Sequence, residues 1–394
     1  MSRCIAVINA GSSSIKFALY DALEDGAALY QGQIEGLGTK PHLKVRNTQG
    51  ETVEDRTWPP AGFDHAAATQ QILETGVRLA AGAPALGVGH RVVHGGLHYD
   101  APVRLNDEVL AALAELIPLA PLHQPHNLAP IRAIFQAAPH LPQVACFDTA
   151  FHRSQPQLAQ AFALPRWLSD AGVRRYGFHG LSYEYLSGRM RELCPELAAG
   201  RVVMAHLGNG ASLCAVRDGR SVASTMGFTA ADGLMMGTRC GALDPGVVLH
   251  LMSAHQMDAG KIEDLIYRQS GLLGVSGISS DMRALRASDQ PAAREAIALF
   301  VYRIVREIGS MMAALDGIDA LIFAGGIGEN DPATRAAVVE GCRWTGMLLD
   351  PHRNASGTGL ISADGSPVAV RVIPTDEERL IAHHTREALQ IPAE

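Results

Sequence analysis

The sequence lacks the marks of a membrane or nucleic-acid protein. No stretch approaches the roughly 20 consecutive apolar residues of a spanning helix, which argues against a membrane role. Basic residues are outnumbered, 33 Lys and Arg against 40 Asp and Glu, and a net charge of −7 argues against nucleic acid as the main partner. It leaves open a small anion held by a few local arginines. The six cysteines include no C-x-x-C pair, so free thiols in a reducing cytosol are expected and a disulfide framework is not. Met1-Ser-Arg-Cys4 runs into a strand-like segment and not into a signal-peptide core. Low-complexity tracts and long linkers are missing as well. What is present is a 394-residue chain, 47% hydrophobic, with room for two domains at roughly 150–200 residues each. A cytoplasmic enzyme fits that balance.

The first informative segment is Cys4-Ile-Ala-Val-Ile-Asn-Ala-Gly-Ser-Ser-Ser-Ile-Lys-Phe-Ala-Leu-Tyr20. An apolar run, a small-residue turn and a period-two alternation predict a β-hairpin. A Walker-type loop would pass from a strand into a helix, so that reading is weak here. A second hairpin of the same design spans Arg201–Val216, turning at Gly208-Asn-Gly210 and leading into a strand at Ser221–Thr225. Spacing alone leaves duplication and coincidence equally open. A third glycine segment follows the strand Ala320–Ala324: Gly325-Gly-Ile-Gly-Glu-Asn330 reads as a turn, with Asp331 and Pro332 opening a helix over Ala333–Gly341. Helices are also predicted at Asp107–Leu116, Ser182–Leu193, Ala292–Ala314 and Asp376–Leu389. The Ala/Gly-rich Ala80–Gly89 reads as a surface connection. Alternating strands and helices place the chain in the α/β class.

Five polar clusters sit against glycines or small residues: Gly89–Gly96, Pro121–Asn127, Cys146–His152, Arg174–Gly180 and Gly237–Pro245. Glycine there permits close backbone approach to a ligand. His90, His94 and His98 recur every four residues, but Val92-Val93 and Gly95-Gly96 predict a strand that stops. No H-E-x-x-H accompanies them, so histidines satisfied near a cleft are preferred to a zinc site.

In order and spacing, the motifs resemble the acetate kinase family (acetate and propionate kinases), within the actin/sugar-kinase/Hsp70 superfamily. They are Asn9-Ala-Gly-Ser-Ser-Ser-Ile-Lys16, Arg91-Val-Val-His-Gly-Gly96, Ala120-Pro-Leu-His123, Phe147-Asp-Thr-Ala-Phe-His152, Arg175-Tyr-Gly-Phe-His-Gly180, His206-Leu-Gly-Asn-Gly210, Gly233-Leu-Met-Met-Gly-Thr-Arg239, Ser279-Ser-Asp-Met-Arg283, Gly326-Ile-Gly-Glu-Asn330 and Pro374-Thr-Asp-Glu-Glu378. The resemblance implies two duplicated actin-like (ribonuclease H-like) ATPase domains around a central cleft. One is expected over 1–148 plus 382–394, the other over 149–381, which would carry the nucleotide site. It implies a homodimer and phosphoryl transfer from ATP to a short carboxylate, giving an acyl phosphate and ADP, with magnesium or manganese as the metal.

Residue by residue, the resemblance places Asn9 and Glu377 at the metal and Lys16 at a phosphate. Asp148 matches the acidic catalytic residue, Arg91 and Arg239 the arginines at the carboxylate and the transferring phosphoryl group, His179 the transition-state histidine, and His123 another active-site histidine. The nucleotide-contacting segments match His206, Leu207, Gly208, Asn209 and Gly210, then Asp281, Met282 and Arg283, then Gly326, Ile327, Gly328, Glu329 and Asn330. The acyl pocket matches Val93, Leu122 and Phe178, with Ala230 where proline is common. Departures are Leu97 for a glutamate, Gln124 for an asparagine and Tyr183 for a histidine.

The chemistry accounts for these residue types independently. A carboxylate with a pKa of about 4 arrives ionised at neutral pH and needs no general base. The difficulty is bringing an anion up to a polyanion, which arginine forks ease for both partners. Asp148 is therefore expected to position the metal, its waters or an arginine, although the family is described with a proton acceptor there. Acetate is expected ahead of propionate. The rival from another class is an actin- or Hsp70-like nucleotide switch, which needs neither the two arginines nor an apolar pocket.

Overall fold

The computed structural model describes residues 3–11, 14–24 and 26–392. Ser12 and Ser13 of the first predicted turn, and Met1 and Ser2, lie outside them. The chain forms two compact units, Met1–Ala150 with Asp376–Glu394, and Phe151–Thr375. The returning segment thus joins the first unit at Asp376, ahead of the expected residue 382, because Glu377–Ala388 is one continuous helix capped by Asp376.

The first unit is built on a mixed sheet of order β5-β4-β3-β2-β1-β6-β8-β7. Its strands are β1 (Cys4–Ala10), β2 (Ile15–Asp21), β3 (Tyr30–Glu35), β4 (His42–Asn47), β5 (Thr52–Thr57), β6 (Ala85–Val92), β7 (Val103–Arg104) and β8 (Gln143–Phe147). The predicted hairpin is the antiparallel pair β1–β2, with Asn9 opposite Lys16. β1 then pairs parallel with β6, and β6 with β8. Ile8, Ile15, Phe17, Ile34, Leu43 and Val45 pack with Ile72 and Ile134 of the helices His65–Leu79 and Gln124–Ala137. β1 and β8 are apolar almost throughout because helices cover both faces.

Ala80–Gly89 is not the surface connection its composition suggests, since β6 begins at Ala85 and runs through the sheet interior. The glycines serve packing against the helix Glu377–Ala388. A β-carbon at Gly87 would lie 2.3 Å from Leu389 Cδ1, and one at Gly89 only 2.2 Å from Thr385 Oγ1.

The second unit has a sheet of order β11-β10-β9-β12-β14-β13. Its strands are β9 (Arg201–Leu207), β10 (Ala211–Arg217), β11 (Arg220–Ser224), β12 (Ala320–Ala324), β13 (Gly359–Leu360) and β14 (Ala369–Val372). Tyr183, Leu186 and Met190 of the helix Gly180–Leu193 pack on Met204, Cys214 and Ile322. The long helix Pro291–Leu315 crosses β9, β10 and β11. The third glycine segment is not a simple turn: Gly325 takes φ +75°, and Gly325–Asn330 winds into a short helix before the predicted Asp331 cap.

The two sheets share one plan. β3-β2-β1-β6-β8 and β11-β10-β9-β12-β14 are each three antiparallel strands continued by two parallel ones. This is the duplicated actin-like, ribonuclease H-like fold expected from the motifs. All six cysteines are free thiols, and among the described residues no helix is long and apolar enough to cross a membrane.

Candidate active site

In the first unit, the candidate residues gather at the ends of β1, β6 and β8. Asp148, just past β8, is buried, and its backbone N–H donates to Val92 O. Its carboxylate takes both arms of Arg91, at the end of β6: Nε donates to Oδ1 at 3.1 Å and Nη2 to Oδ2 at 2.6 Å. This is a fork-on-fork ion pair, strong because both partners are charged and their geometries match. Burial disfavours the Arg91 charge, but Asp148 and Glu377 outweigh it and hold the guanidinium above its ordinary pKa. Arg91 Nη1 also donates to Asn9 Oδ1 at 3.3 Å, and Glu377 Oε2 lies 4.0 Å from Arg91 Nε.

Asn9 Nδ2 donates to Glu378 Oε1 at 2.9 Å and, longer, to Glu377 Oε2 at 3.5 Å. Burial pushes the Glu377 carboxyl up to about 7, with Asp148 and Glu378 adding to the rise while Arg91 and Lys16 oppose it. Lys16, paired with Asn9 of β1 and Gln33 of β3, is exposed. Among the described residues no three His, Cys, Asp or Glu side chains are grouped to hold an ion, so the corner of Glu377 and Asn9 fits only a divalent cation of the magnesium type that needs few protein ligands. Such ions take one or two protein carboxylates and fill the remaining positions with water and phosphate oxygens.

Val93 is buried beside Arg91, and its N–H donates to Asn127 Oδ1 at 2.8 Å. His123 precedes the helix Gln124–Ala137, with Leu122 half-buried before it. Of the departures in this unit, Gln124 is wholly buried and donates to His94 O and Leu113 O. Leu97 lies at the surface.

The second unit gathers the remaining candidates around the β9–β10 turn. His179 sits at φ +58°, in the left-handed region, immediately before the helix Gly180–Leu193. That conformation is sparsely populated for a residue with a side chain and, where it occurs, marks an over-determined site. Here the determinants are visible. Gly177, at φ +75°, leaves room for buried His152, whose Cγ would lie 2.5 Å from a β-carbon there. His152 Nε2 in turn meets Phe178 O at 2.9 Å. The His179 ring stacks on His206 with centroids 4.3 Å apart. A β-carbon at Gly210 would lie 3.2 Å from His179 Nε2 and 2.8 Å from Arg239 Nη2. Both polar groups therefore face the space that a side chain at Gly210 would fill. Arg239 Nη1 is held by Ala230 O at 2.7 Å.

Two of the three nucleotide-segment candidates occupy adjacent strand ends. Leu207 is fully buried, and Gly208, Asn209 and Gly210 form the turn, closed by Gly208 N–H to Gly210 O. β12 lies parallel to β9, with Ala324 opposite His206, so Gly326, Ile327, Gly328, Glu329 and Asn330 follow beside that turn. Glu329 Oε1 accepts from Gly325 N and Thr375 N, and a β-carbon at Gly326 would meet nothing within 4 Å. Asp281 caps the short helix Met282–Arg286 and pairs with Arg283, while Met282 points into the core.

Of the proposed acyl-pocket residues, Val93 and Leu122 belong to the first unit, and Phe178 and Ala230 to the second. Comparison with known proteins gives the family. The sequence profile described as the acetokinase family matches residues 4–383. The chain belongs to the acetokinase family. Relatives named acetate kinase from Rhodopseudomonas palustris and Methylocella silvestris are 56% and 54% identical, each alignment covering 98% of both chains. Among solved structures, Porphyromonas gingivalis acetate kinase matches with TM-score 0.85 at 39% identity, and a Francisella tularensis propionate kinase with 0.90 at 34%. Each match covers 98% of this chain and 100% of that one.

In this acetokinase-family chain, sequence reasoning did not assign the residues that hold the candidates in place, although Asn127 fell within one of its polar clusters. Asn127 ties Val93 N to Ala10 O, Ser212 holds His179, and Ser182 links His206 to Thr375. His152 was visible only as part of a motif. Their partners lie on distant elements, and no local pattern announces them.

Proposed function

We propose that the protein is an acetate kinase, catalysing reversible in-line phosphoryl transfer between ATP and acetate to give acetyl phosphate and ADP. The observation that carries this reading is the Arg91–Asp148 pair. Both Asp148 oxygens are spent on one guanidinium, so this carboxylate is arranged to orient an arginine and not to take a proton. A sugar kinase of the same superfamily would need a free base for its hydroxyl nucleophile; a carboxylate acceptor needs none. Arg91, with Val93 beside it, suits the acetate carboxylate and methyl group. Family membership and the names of the relatives support the same activity.

In this reading, Arg239 and His179 donate to the transferring phosphoryl group, whose equatorial oxygens carry the spread charge of the transition state. His206 to Gly210, Asp281 to Arg283 and Gly326 to Asn330 contact the nucleotide. Lys16 approaches a phosphate, and His123 completes the acetate side. Asn9 and Glu377 would hold magnesium, or manganese in its place, which neutralises phosphate charge when bound. Ala230, smaller than proline, leaves propionate as a second substrate, since one methylene discriminates by only about 1–3 kcal/mol. Helix Pro245–Ala254 is apolar with none of its residues buried, and Leu249 and Met252 are exposed, which supports a second copy of the chain as its occupant. A cytoplasmic location agrees with the free thiols.

Trapping the product with hydroxylamine tests the activity. With ATP, magnesium and acetate, hydroxamate should form, and more slowly with propionate. No hydroxamate from acetate, propionate or butyrate would end the reading, and acceptor-independent ATP hydrolysis would favour the nucleotide switch.

A further inference from the structure

Tyr183 stands where the family resemblance has a histidine, on the helix Gly180–Leu193, one turn beyond His179. Its ring is wholly buried, and its hydroxyl lies 2.5 Å from Ser212 Oγ, itself wholly buried at the start of β10. Ser212 Oγ in turn lies 2.9 Å from His179 Nδ1. Three side chains thus form one hydrogen-bonded line ending on the imidazole. We propose that Tyr183 is a positioning residue that, through Ser212, fixes His179 in the tautomer carrying its proton on Nε2.

The direction of the line follows from counting protons. Burial keeps the Tyr183 phenol protonated. That proton needs an acceptor, because a buried hydroxyl donor left unmade is costly. Ser212 Oγ is the acceptor the geometry supplies. Ser212 then has its single proton to donate, and it donates to His179 Nδ1. A neutral imidazole that accepts at one nitrogen bears its hydrogen on the other. Nε2–H therefore faces the space beside Gly210 and Arg239 Nη2. There it meets a phosphoryl oxygen as a donor, without rearrangement at the moment of transfer. With the serine proton turned the other way, the Tyr183 proton would be stranded and Nε2 would present a lone pair to an anion.

The catalytic half of this inference rests on the acetate kinase reading; the tautomer half does not. The test uses the full chain labelled with ¹⁵N-histidine, with the His179 signals identified by their loss in His179→Gln. Long-range ¹H–¹⁵N spectra of the ligand-free protein should show His179 as the Nε2–H form. Tyr183→Phe keeps the ring and removes the hydroxyl, and should shift His179 toward Nδ1–H. It should also lower kcat by about 10-fold or more with both KM values nearly unchanged, the scale seen when a partner that orients a functional histidine is lost. Ser212→Ala reads the same line independently should the phenylalanine variant fold poorly, and the double variant should fall no further than the worse single one. An Nδ1–H His179 in the unmodified protein, or variants that leave the tautomer or kcat unchanged, would overturn the proposal. Absence of hydroxamate with the unmodified protein would strike the acetate kinase reading alone, because the tautomer is read without substrate.

Discussion

The rings of His179 and His206 lie face to face at 4.3 Å, and each is held at Nδ1 by a serine hydroxyl, Ser212 for one and Ser182 for the other. Both rings border the Gly208–Gly210 turn, where the absence of a side chain at Gly210 keeps the space beside His179 and Arg239 clear. Gly210→Ala should therefore lower kcat by about 10²-fold or more, the scale of a lost transition-state donor, because the methyl displaces the Arg239 guanidinium. Thermal unfolding should hardly change, since a guanidinium end can move at little cost. Turnover near that of the unmodified protein would mean that this space is not where transfer occurs.

Arg91 and Asp148 should behave as one unit. Arg91→Ala is expected to reduce turnover by about 10²–10³-fold, as for a lost charge-stabilising donor. It should also cost about 3 kcal/mol of stability, because it leaves the Asp148 carboxylate buried without its counter-ion. Asp148→Asn should reduce turnover too, yet leave the acid limb of the pH–rate profile where it was, since an orienting carboxylate carries no proton in the reaction. An acid limb abolished by this variant would restore Asp148 as the proton acceptor.

Acid should weaken the first unit through two buried histidines. Burial holds His90 and His94 down to about 4, against 6.5 in the unfolded chain. Between those values the unfolded state binds more protons than the folded state, so stability falls as pH drops from about 6.5 toward 4 and is retained above that window. Each histidine contributes up to about 3 kcal/mol to the loss, by the usual conversion of a pKa shift. Urea midpoints measured from pH 7 to 4.5 should fall accordingly. His90→Gln, which keeps a polar group opposite Gln143, should flatten the decline; an unchanged slope would place the acid sensitivity elsewhere.

Self-association should depend on the apolar helix Pro245–Ala254. Light scattering after gel filtration should give twice the chain mass for the unmodified protein. Leu249→Glu with Met252→Glu should give the monomer mass with the same far-UV circular dichroism. A dimer that survives both charges would move the interface to another surface.

The two glycine-turn hairpins were legible because period-two alternation and a small-residue turn are local signals, and β1–β2 and β9–β10 follow them closely. The duplication could not be read from spacing, since it lies in which strands pair and in which direction. Gly87 and Gly89 misled for a related reason. Glycine signals a loop locally, whereas here it clears the path of Ile381, Thr385 and Leu389, far along the chain. Asp148 and Arg91 were legible as members of polar clusters and, through the motif resemblance, as candidates with roles, but their forked contact only in three dimensions. Ser212 carries no signal at all, as a single polar residue in apolar surroundings, and Asn127, though part of the Pro121–Asn127 cluster, carries none of its purpose, since both depend on a partner elsewhere.

The helix Glu377–Ala388, which packs on β1 and β6, has a consequence for the order in which the protein is made. A ribosome releases the N-terminal strands first and this helix only after every strand of the second sheet. Until then, the groove beside Gly87 and Gly89 stays open to water, and Asn9 waits without Glu377 and Glu378. The nascent protein therefore cannot bring Asn9 together with Glu377 and Glu378 early, and a chain stalled before Asp376 would carry every strand yet lack that corner of the proposed site.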